Sequence, residues 1–483
     1  MSWTVWGIAN SLCLRFTQGM KKVSRVHISF LLVNLAIVAV AAIAFRPQLS
    51  TAASGPNVKR SDIKLRKVAE VGGGFVRMDY DKARGQLLYL NAKGDIYKAD
   101  PATGKTGLLY EGATATGDRD CVATGMAIGP DGSIYLTCNL KTDAKNVGSI
   151  RRGALEGGKW VWSTIARTEP YPIGKTQFDH DFNGLVVSPD GKFLLVNSGS
   201  RTDHGEVEDA GGANKGLREV PLTSSVFRIS ISFNSKDKEI IVLPNDLDKL
   251  QAKRLLYTRG TRNCYDLAFA ANGDLFCGDN SPDGDYPDEI NWLRPGRHYG
   301  FPWRLGNEDN PTRTSSYDPA RDKHLQNGFF AVENKLYKAD TSFPSVPEGV
   351  KFTDPILNYG PDADNYRKAD GSEGNASKEG KPLAGITPHR SPLGLSFDTA
   401  NALSGDYKGA LFVASWGAAG GTLSDKGSDL TLVKLTKQRD NYAATMTQII
   451  ADLNQPIDTV LVGKKLYVLE FGGDGAIWEV GFP

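Results

Sequence analysis

Charge of either sign is nearly balanced in these 483 residues: 57 Lys and Arg face 55 Asp and Glu, a formal net charge of +2. No acidic or basic excess points to nucleic acid. Cysteine is scarce, with five residues in the whole chain, so no dense disulfide framework holds the fold. Glycine is plentiful at 53 residues and proline follows at 24, but no collagen-like period orders them. They read instead as many turns between short strands.

One apolar run stands apart. Ile28 to Phe45 carries no charged residue, follows the basic Lys21, Lys22 and Arg25, and ends at Arg46-Pro47. Thr51-Ala52-Ala53 offers the small residues a signal peptidase accepts. Its 18 residues are long for a signal core and just long enough to span a bilayer. Cleaved signal and retained anchor both remain open. The basic approach puts the body on the far side of the membrane. The sequence therefore divides into an N-terminal targeting segment, 1–54, and a body, 55–483. The body is expected to be periplasmic or extracellular, touching the membrane only through residues 28–45.

A hairpin unit repeats along the body. The clearest copies are Ala123–Thr137, Phe182–Val196 and Tyr265–Phe276; weaker ones run Val76–Leu90, Gly394–Ala414 and Asp458–Leu469. Each is an apolar strand, a turn of Pro-Asp-Gly or Asn-Gly type, and a second apolar strand. A third strand trails most of them, as in Ser225–Ile229 and Asp288–Leu293. Radial repetition of small sheets follows: an all-β fold, a six-bladed β-propeller. Polar insertions at 200–225 and 304–390 read as loops on one face, where propellers carry function.

The turn glycines set a common phase. Relative to Gly132, Cys121 and Cys138 lie at −11 and +6; relative to Gly273, Cys264 and Cys277 lie at −9 and +4. Both pairs sum to −5 and so share one hairpin register and sheet face. Two cross-strand disulfides are expected, with buried free thiols as the alternative. At −11 the next hairpins carry His180 and Arg262, with Asn263 beside it. These begin successive innermost strands and should ring one mouth of the channel. His180, between Asp179 and Asp181, is a candidate general base whose pKa those acids would raise; a strand-capping histidine is the alternative. The acidic loop with Asp279, Asp283, Asp285, Asp288 and Glu289 offers hard oxygen ligands for Ca²⁺, without EF-hand spacing. A solvated acidic turn would look the same.

Arg262-Asn263 before a hairpin, then Asp288-Glu-Ile-Asn291, then Gly296-Arg-His-Tyr-Gly-Phe-Pro-Trp303 resembles the soluble quinoprotein glucose/sorbosone dehydrogenases. His389–Leu395 and Asp406–Ala414 add to the likeness, which spans roughly 75–483. The resemblance implies a six-bladed propeller using pyrroloquinoline quinone (PQQ) and Ca²⁺ to oxidise an aldose or related polyol, with a separate electron acceptor. It assigns His180 as catalytic base and Arg262 and Asn263 as quinone contacts. It puts the Ca²⁺ near the carbonyls of Ser281 and Pro282, with Asp288 and Glu289 alongside. The departures are specific. Asn454–Asp458 replaces an arginine-bearing motif, Ser415-Trp-Gly417 replaces a lysine, and Asp-Phe-Asn-Gly follows the histidine. Arg390 or Arg201 would then have to meet the quinone's carboxylates. A propeller that has lost the quinone, as a lactonase-like hydrolase or a non-catalytic carbohydrate or protein binder, is the alternative.

Overall fold

The turn residues fold as their chemistry dictates. Gly132 and Gly191 take φ of 77° and 68°, left-handed backbone that favours glycine. The Gly132 N–H donates to the Gly129 carbonyl (2.9 Å), and Asp131 accepts the Ser133 N–H (3.0 Å). The hairpins so closed extend into sheets set radially around a channel.

The computed structural model of the chain describes residues 55–231, 239–418 and 420–483. Residues 55–483 form one compact unit; the expected targeting segment lies outside the described residues. Lys64–Glu70 (β1) belongs to the sheet that closes the ring. The next sheet holds Phe75–Asp81 (β2), Gln86–Asn91 (β3), Ile96–Ala99 (β4) and Thr106–Tyr110 (β5). Val122–Ile128 (β6), Ile134–Lys141 (β7), Lys145–Glu156 (β8) and Lys159–Thr168 (β9) follow. Then come Phe182–Val187 (β10), Phe193–Ser198 (β11), Ser225–Ser230 (β12) and Leu256–Arg259 (β13). A three-stranded sheet holds Cys264–Phe269 (β14), Leu275–Asp279 (β15) and Glu289–Leu293 (β16). Pro392–Phe397 (β17), Leu411–Ser415 (β18), Asp429–Lys437 (β19) and Tyr442–Ala451 (β20) make the next. Pro456–Val462 (β21), Lys465–Glu470 (β22) and Ala476–Gly481 (β23) complete the circle with β1, Lys64 lying opposite Gly481. The fold is a mainly β propeller, as the repeats predicted.

The innermost strands β2, β6, β10, β14, β17 and β21 touch in that order, and β21 returns to β2. A side chain ties every junction. Ile128 N–H donates to Asp79 (2.7 Å), Thr124 Oγ1 to the Phe182 carbonyl (2.6 Å), and Asn183 Nδ2 to Asn263 Oδ1 (2.7 Å). Leu395 N–H donates to Asp266 (2.7 Å), Ser396 Oγ to the Thr459 carbonyl (3.0 Å), and Met78 N–H to Asp458 (2.7 Å). Each of these bonds satisfies a backbone or side-chain group that the channel wall would otherwise bury unpaired. Apolar side chains from facing sheets fill the space between them, as where Phe276 meets Phe397.

Every innermost strand also breaks register near its start: Phe75/Arg77, Val122/Gly125, Phe182/Leu185, Cys264/Asp266, Pro392/Gly394 and Pro456/Asp458. Such bulges bend a strand and re-aim its side chains, here all at the same mouth. The cysteines pair as their shared phase predicted, Cys121 with Cys138 and Cys264 with Cys277, at Cα separations of 5.5 and 5.4 Å. They are not directly opposed. Cys264 faces Asp279 and Cys277 faces Leu267, so that bridge runs diagonally across the bulge.

Candidate functional site

The bulged strand starts bring three of the sequence-predicted residues together. His180 precedes β10 and donates its N–H to the Ser200 carbonyl (2.9 Å), while Ser200 N–H donates to the Arg262 carbonyl (2.7 Å). The link needs glycine beside it. A Cβ on Gly199 would stand 2.4 Å from His180 Cβ and 3.0 Å from Asn263 Oδ1.

His180 Nδ1 lies 3.1 Å from both the carbonyl and the hydroxyl of Ser200. With the proton on Nδ1 and donated to that carbonyl, the Nε2 lone pair is left for the mouth; Nε2 takes no partner among the described residues. The His180 side chain is half-buried. Burial first, and then the Arg262 charge, push its pKa down to about 3. This corrects the expectation that the flanking acids raise it. Asp179 is bound to the N–H groups of Gly174 (2.6 Å) and Lys175 (2.7 Å). Asp181, in left-handed backbone (φ 57°), is bound to Lys141 (2.5 Å) and Asn146 (3.2 Å). Neutral Ser200 is the histidine's partner instead.

Arg262 is held on three sides. Nε donates to the Asp203 carbonyl (2.8 Å), Nη2 to Asp203 Oδ1 (3.0 Å) and Nη1 to the Asn280 carbonyl (3.3 Å). Asn263 gives its N–H to Asp279 and accepts from Asn183, so its Nδ2 is without a partner among the described residues. Sequence reasoning missed Asp203, His204 and Tyr337, which the two insertions bring to this mouth. His204 Nδ1 and Tyr337 Oη meet Asp203 Oδ2 at 3.0 and 3.1 Å, and the two rings stack at 3.9 Å. Burial opposes charge on His204, but Glu206 and Asp203 outweigh it and raise its pKa. The one available signal was Asp203-His-Gly-Glu206, a run of ionisable residues inside a loop.

Comparison with known proteins fits this geometry. The glucose / sorbosone dehydrogenase family model matches residues 131–332. That stretch carries His180, Arg262, Asn263 and the acidic loop, and the resemblance read from the motifs is borne out. A PQQ-bound aldose sugar dehydrogenase from Streptomyces coelicolor aligns over 88% of this chain and 99% of its own, at 16% identity and TM-score 0.51. Two structures of glucose dehydrogenases align over 87% of this chain at 14% and 15% identity, both with TM-score 0.51, covering 100% and 99% of their own lengths. At these identities the likeness establishes the propeller fold. No curated protein matches the chain in sequence.

Two expectations drawn from the glucose/sorbosone dehydrogenase resemblance need correction. The guanidinium of Arg390 does not face the mouth unpaired: buried Asp429 takes Nη2 (2.6 and 2.5 Å) and half-buried Asp425 takes Nη1. Arg201 likewise spends its guanidinium on the carbonyls of Arg218 (2.7 Å) and Glu208 (2.6 Å). The acidic loop is not one ligand cluster either. Among the described residues no three His, Cys, Asp or Glu gather as a metal site. Asp288 accepts the N–H groups of Ser281 (2.7 Å) and Ser391 (2.6 Å), Asp283 that of Ala331 (2.8 Å), and Asp285 pairs with Arg367 (2.6 Å) and His389 (2.9 Å). Folding scatters these carboxylates because adjacent loop residues point to different neighbours.

A smaller oxygen-rich space remains. Asp279 and Glu289 lie opposite each other across β15–β16. With Asn280, Ser281, Pro282 and the arginines Arg262 and Arg304 they line a void of about 10 Å³, room for one water-sized sphere. Asn280 Oδ1 and Ser281 Oγ are buried there without partners. Burial pushes Asp279 up to about 7 and Glu289 well above its usual range. Of this set Glu289, Asn280 and Ser281 would hold a hard cation such as Ca²⁺, whereas both oxygens of Asp279 already take the Arg262 and Asn263 N–H groups and both oxygens of Asp288 are taken too. At this mouth His180 Nε2 and Asn263 Nδ2 offer one acceptor and one donor without partners among the described residues.

Proposed function

We propose that this chain is an exported quinoprotein sugar dehydrogenase, a six-bladed propeller that oxidises an aldose or related polyol and passes the electrons to a separate acceptor. The convergence of His180, Arg262 and Asn263 around Gly199-Ser200 carries this reading. Six innermost strands that touch in one ring support the count of six blades. When bound, the quinone supplies the two-electron oxidant that accepts hydride from the substrate carbon. His180 does the proton chemistry: its Nε2 takes the proton of the substrate hydroxyl, while Nδ1–H stays on the Ser200 carbonyl and fixes the ring. Asn263 Nδ2 donates toward the acceptor's oxygens. Arg262, anchored by Asp203, places positive charge where negative charge grows in the acceptor. The low pKa of His180 keeps the base form present at every physiological pH.

The test is direct. Purified body, residues 55–483, is mixed with PQQ and Ca²⁺, and its visible spectrum is followed while a panel of aldoses and polyols is added. Bleaching of the oxidised quinone by one or more sugars is expected; a spectrum unchanged by any of them overturns the reading. One observation favours a second reading, a quinone-free carbohydrate binder or lactonase-like hydrolase. Arg262 and Arg390 already hold buried carboxylates, and Asn454–Asp458 brings no arginine. Sugar binding or lactone hydrolysis without any uptake of quinone would select it.

A further inference from the structure

The proposed cofactor carries carboxylates, and a carboxylate leaves water only for a cation or N–H donors. Two cations act on the His180 ring, Arg262 and Lys141. Arg262 is fully engaged by Asp203 and the Asn280 carbonyl. Lys141 ends β7, at the strand terminus that meets Asp181 beside the histidine. Its ammonium has one partner among the described residues, Asp181 at 2.5 Å, and its side chain is 36% exposed where that of Asp181 is 8% exposed. Asp181 keeps a second donor, Asn146 Nδ2 at 3.2 Å. Releasing Lys141 therefore leaves Asp181 hydrogen-bonded, and burial already pushes that carboxyl up to about 6. By contrast Arg201, Arg367 and Arg390 are buried in bonds that pack the fold.

We propose that Lys141 is the side chain at this mouth that receives a carboxylate of the bound cofactor, exchanging Asp181 for it. The proposal rests on the quinoprotein reading and deepens it. It accounts for how a chain with Asn454–Asp458 in place of an arginine-bearing motif still seats an anionic quinone: the cation comes from the second strand of a different blade.

The experiment is equilibrium binding of PQQ in the presence of Ca²⁺, read by quenching of tryptophan fluorescence, so no turnover is needed. Wild type is compared with Lys141→Ala, Lys141→Gln and Lys141→Arg, each first shown to melt as wild type does. Affinity should fall about 10- to 100-fold in Ala and Gln, the span of one charge-assisted hydrogen bond, and return in Arg. The trimethyl ester of the quinone should bind wild type and Lys141→Ala alike. If wild type binds PQQ and the Ala and Gln variants bind it equally well, Lys141 is no anchor and the quinoprotein reading stands. If wild type itself takes up no PQQ, both fall together.

Discussion

Asp203 and Arg262 are joined twice, once through the aspartate's carboxylate at 3.0 Å and once through its backbone carbonyl at 2.8 Å. The same carboxylate takes the Asp283 N–H (3.0 Å) and, on its other oxygen, His204 and Tyr337. One fully buried side chain thus ties an insertion, a strand start and the acidic loop into one wall of the mouth. Removing it would leave the guanidinium buried and half paired, the costly way to break an ion pair. Asp203→Ala should lose about 3–5 kcal/mol of stability, measured by urea unfolding of the body. A loss within about 1 kcal/mol, the scale of an exposed pair, would show that Arg262 finds other partners.

His180 should behave unlike a typical histidine. Its pKa is pushed down to about 3, mainly by burial, so lowering the pH from 7 to 5 should not protonate it. Dehydrogenase activity should show no limb near pH 6.5 assignable to this residue, and its ring resonances should not titrate there. His180→Ala should lower kcat by roughly 10²–10⁴, the loss of one general base, with the melting temperature nearly unchanged. A ring that titrates with a midpoint near 6.5 would falsify the buried, Ser200-bound arrangement.

The folded body should grow less stable as pH rises from 6 to 8. Burial raises Asp79 and Asp181 to about 6 and Asp279 to about 7, all above the unfolded value near 3.9. Such groups bind more protons when folded, so their contribution is complete below about pH 4 and is lost as pH passes through 6 to 7. His180 and His298, lowered to about 3 and about 4 by burial, act in the opposite direction only below about 6.5. Thermal melts in a chelating buffer should therefore show a falling midpoint from pH 6 to 8. Added Ca²⁺ should reduce the fall, because a cation held by Glu289 beside Asp279 would offset the negative charge these groups gain.

Peptide mapping of unreduced protein should recover Cys121–Cys138 and Cys264–Cys277 and no other link. Converting both cysteines of the second pair to serine should cost about 2–4 kcal/mol, read as a shifted urea midpoint. Unchanged stability would mean the bulge alone fixes that hairpin.

Export is proposed from the basic residues before Ile28–Phe45 and agrees with the two disulfides. Fractionation of expressing cells should find the body outside the cytoplasm. Recovery from the cytosol with Met1 intact would end the proposal.

Much of this was legible because it is local. Pro-Asp-Gly turns state where a hairpin reverses, and counting back from Gly132, Gly191 and Gly273 aligned the cysteines and placed His180 with Arg262. The count was insensitive to the bulges, since every innermost strand carries one in the same place. What the sequence withheld depends on long-range packing. Asp203 and Tyr337 meet only because two insertions fold over one mouth. Arg390 looked available because Asp425 and Asp429 are 35 and 39 residues away. The acids beside His180 predict a raised pKa when the sequence is read alone. Adjacent residues in extended chain point to opposite sides, and here both acids found other partners.

The pairing of β1 with β23 has a temporal side. Lys64 finds its partner only when Gly481 is available, so the first ring strand in the chain is the one whose sheet is finished last. Every other sheet draws its innermost hairpin from a single local stretch and can assemble as that stretch appears. Such a closure carries the high loop entropy that slows folding. A polypeptide threaded across a membrane from its leading end would keep its ring unlocked until the trailing strands had crossed, and would then latch shut on the far side.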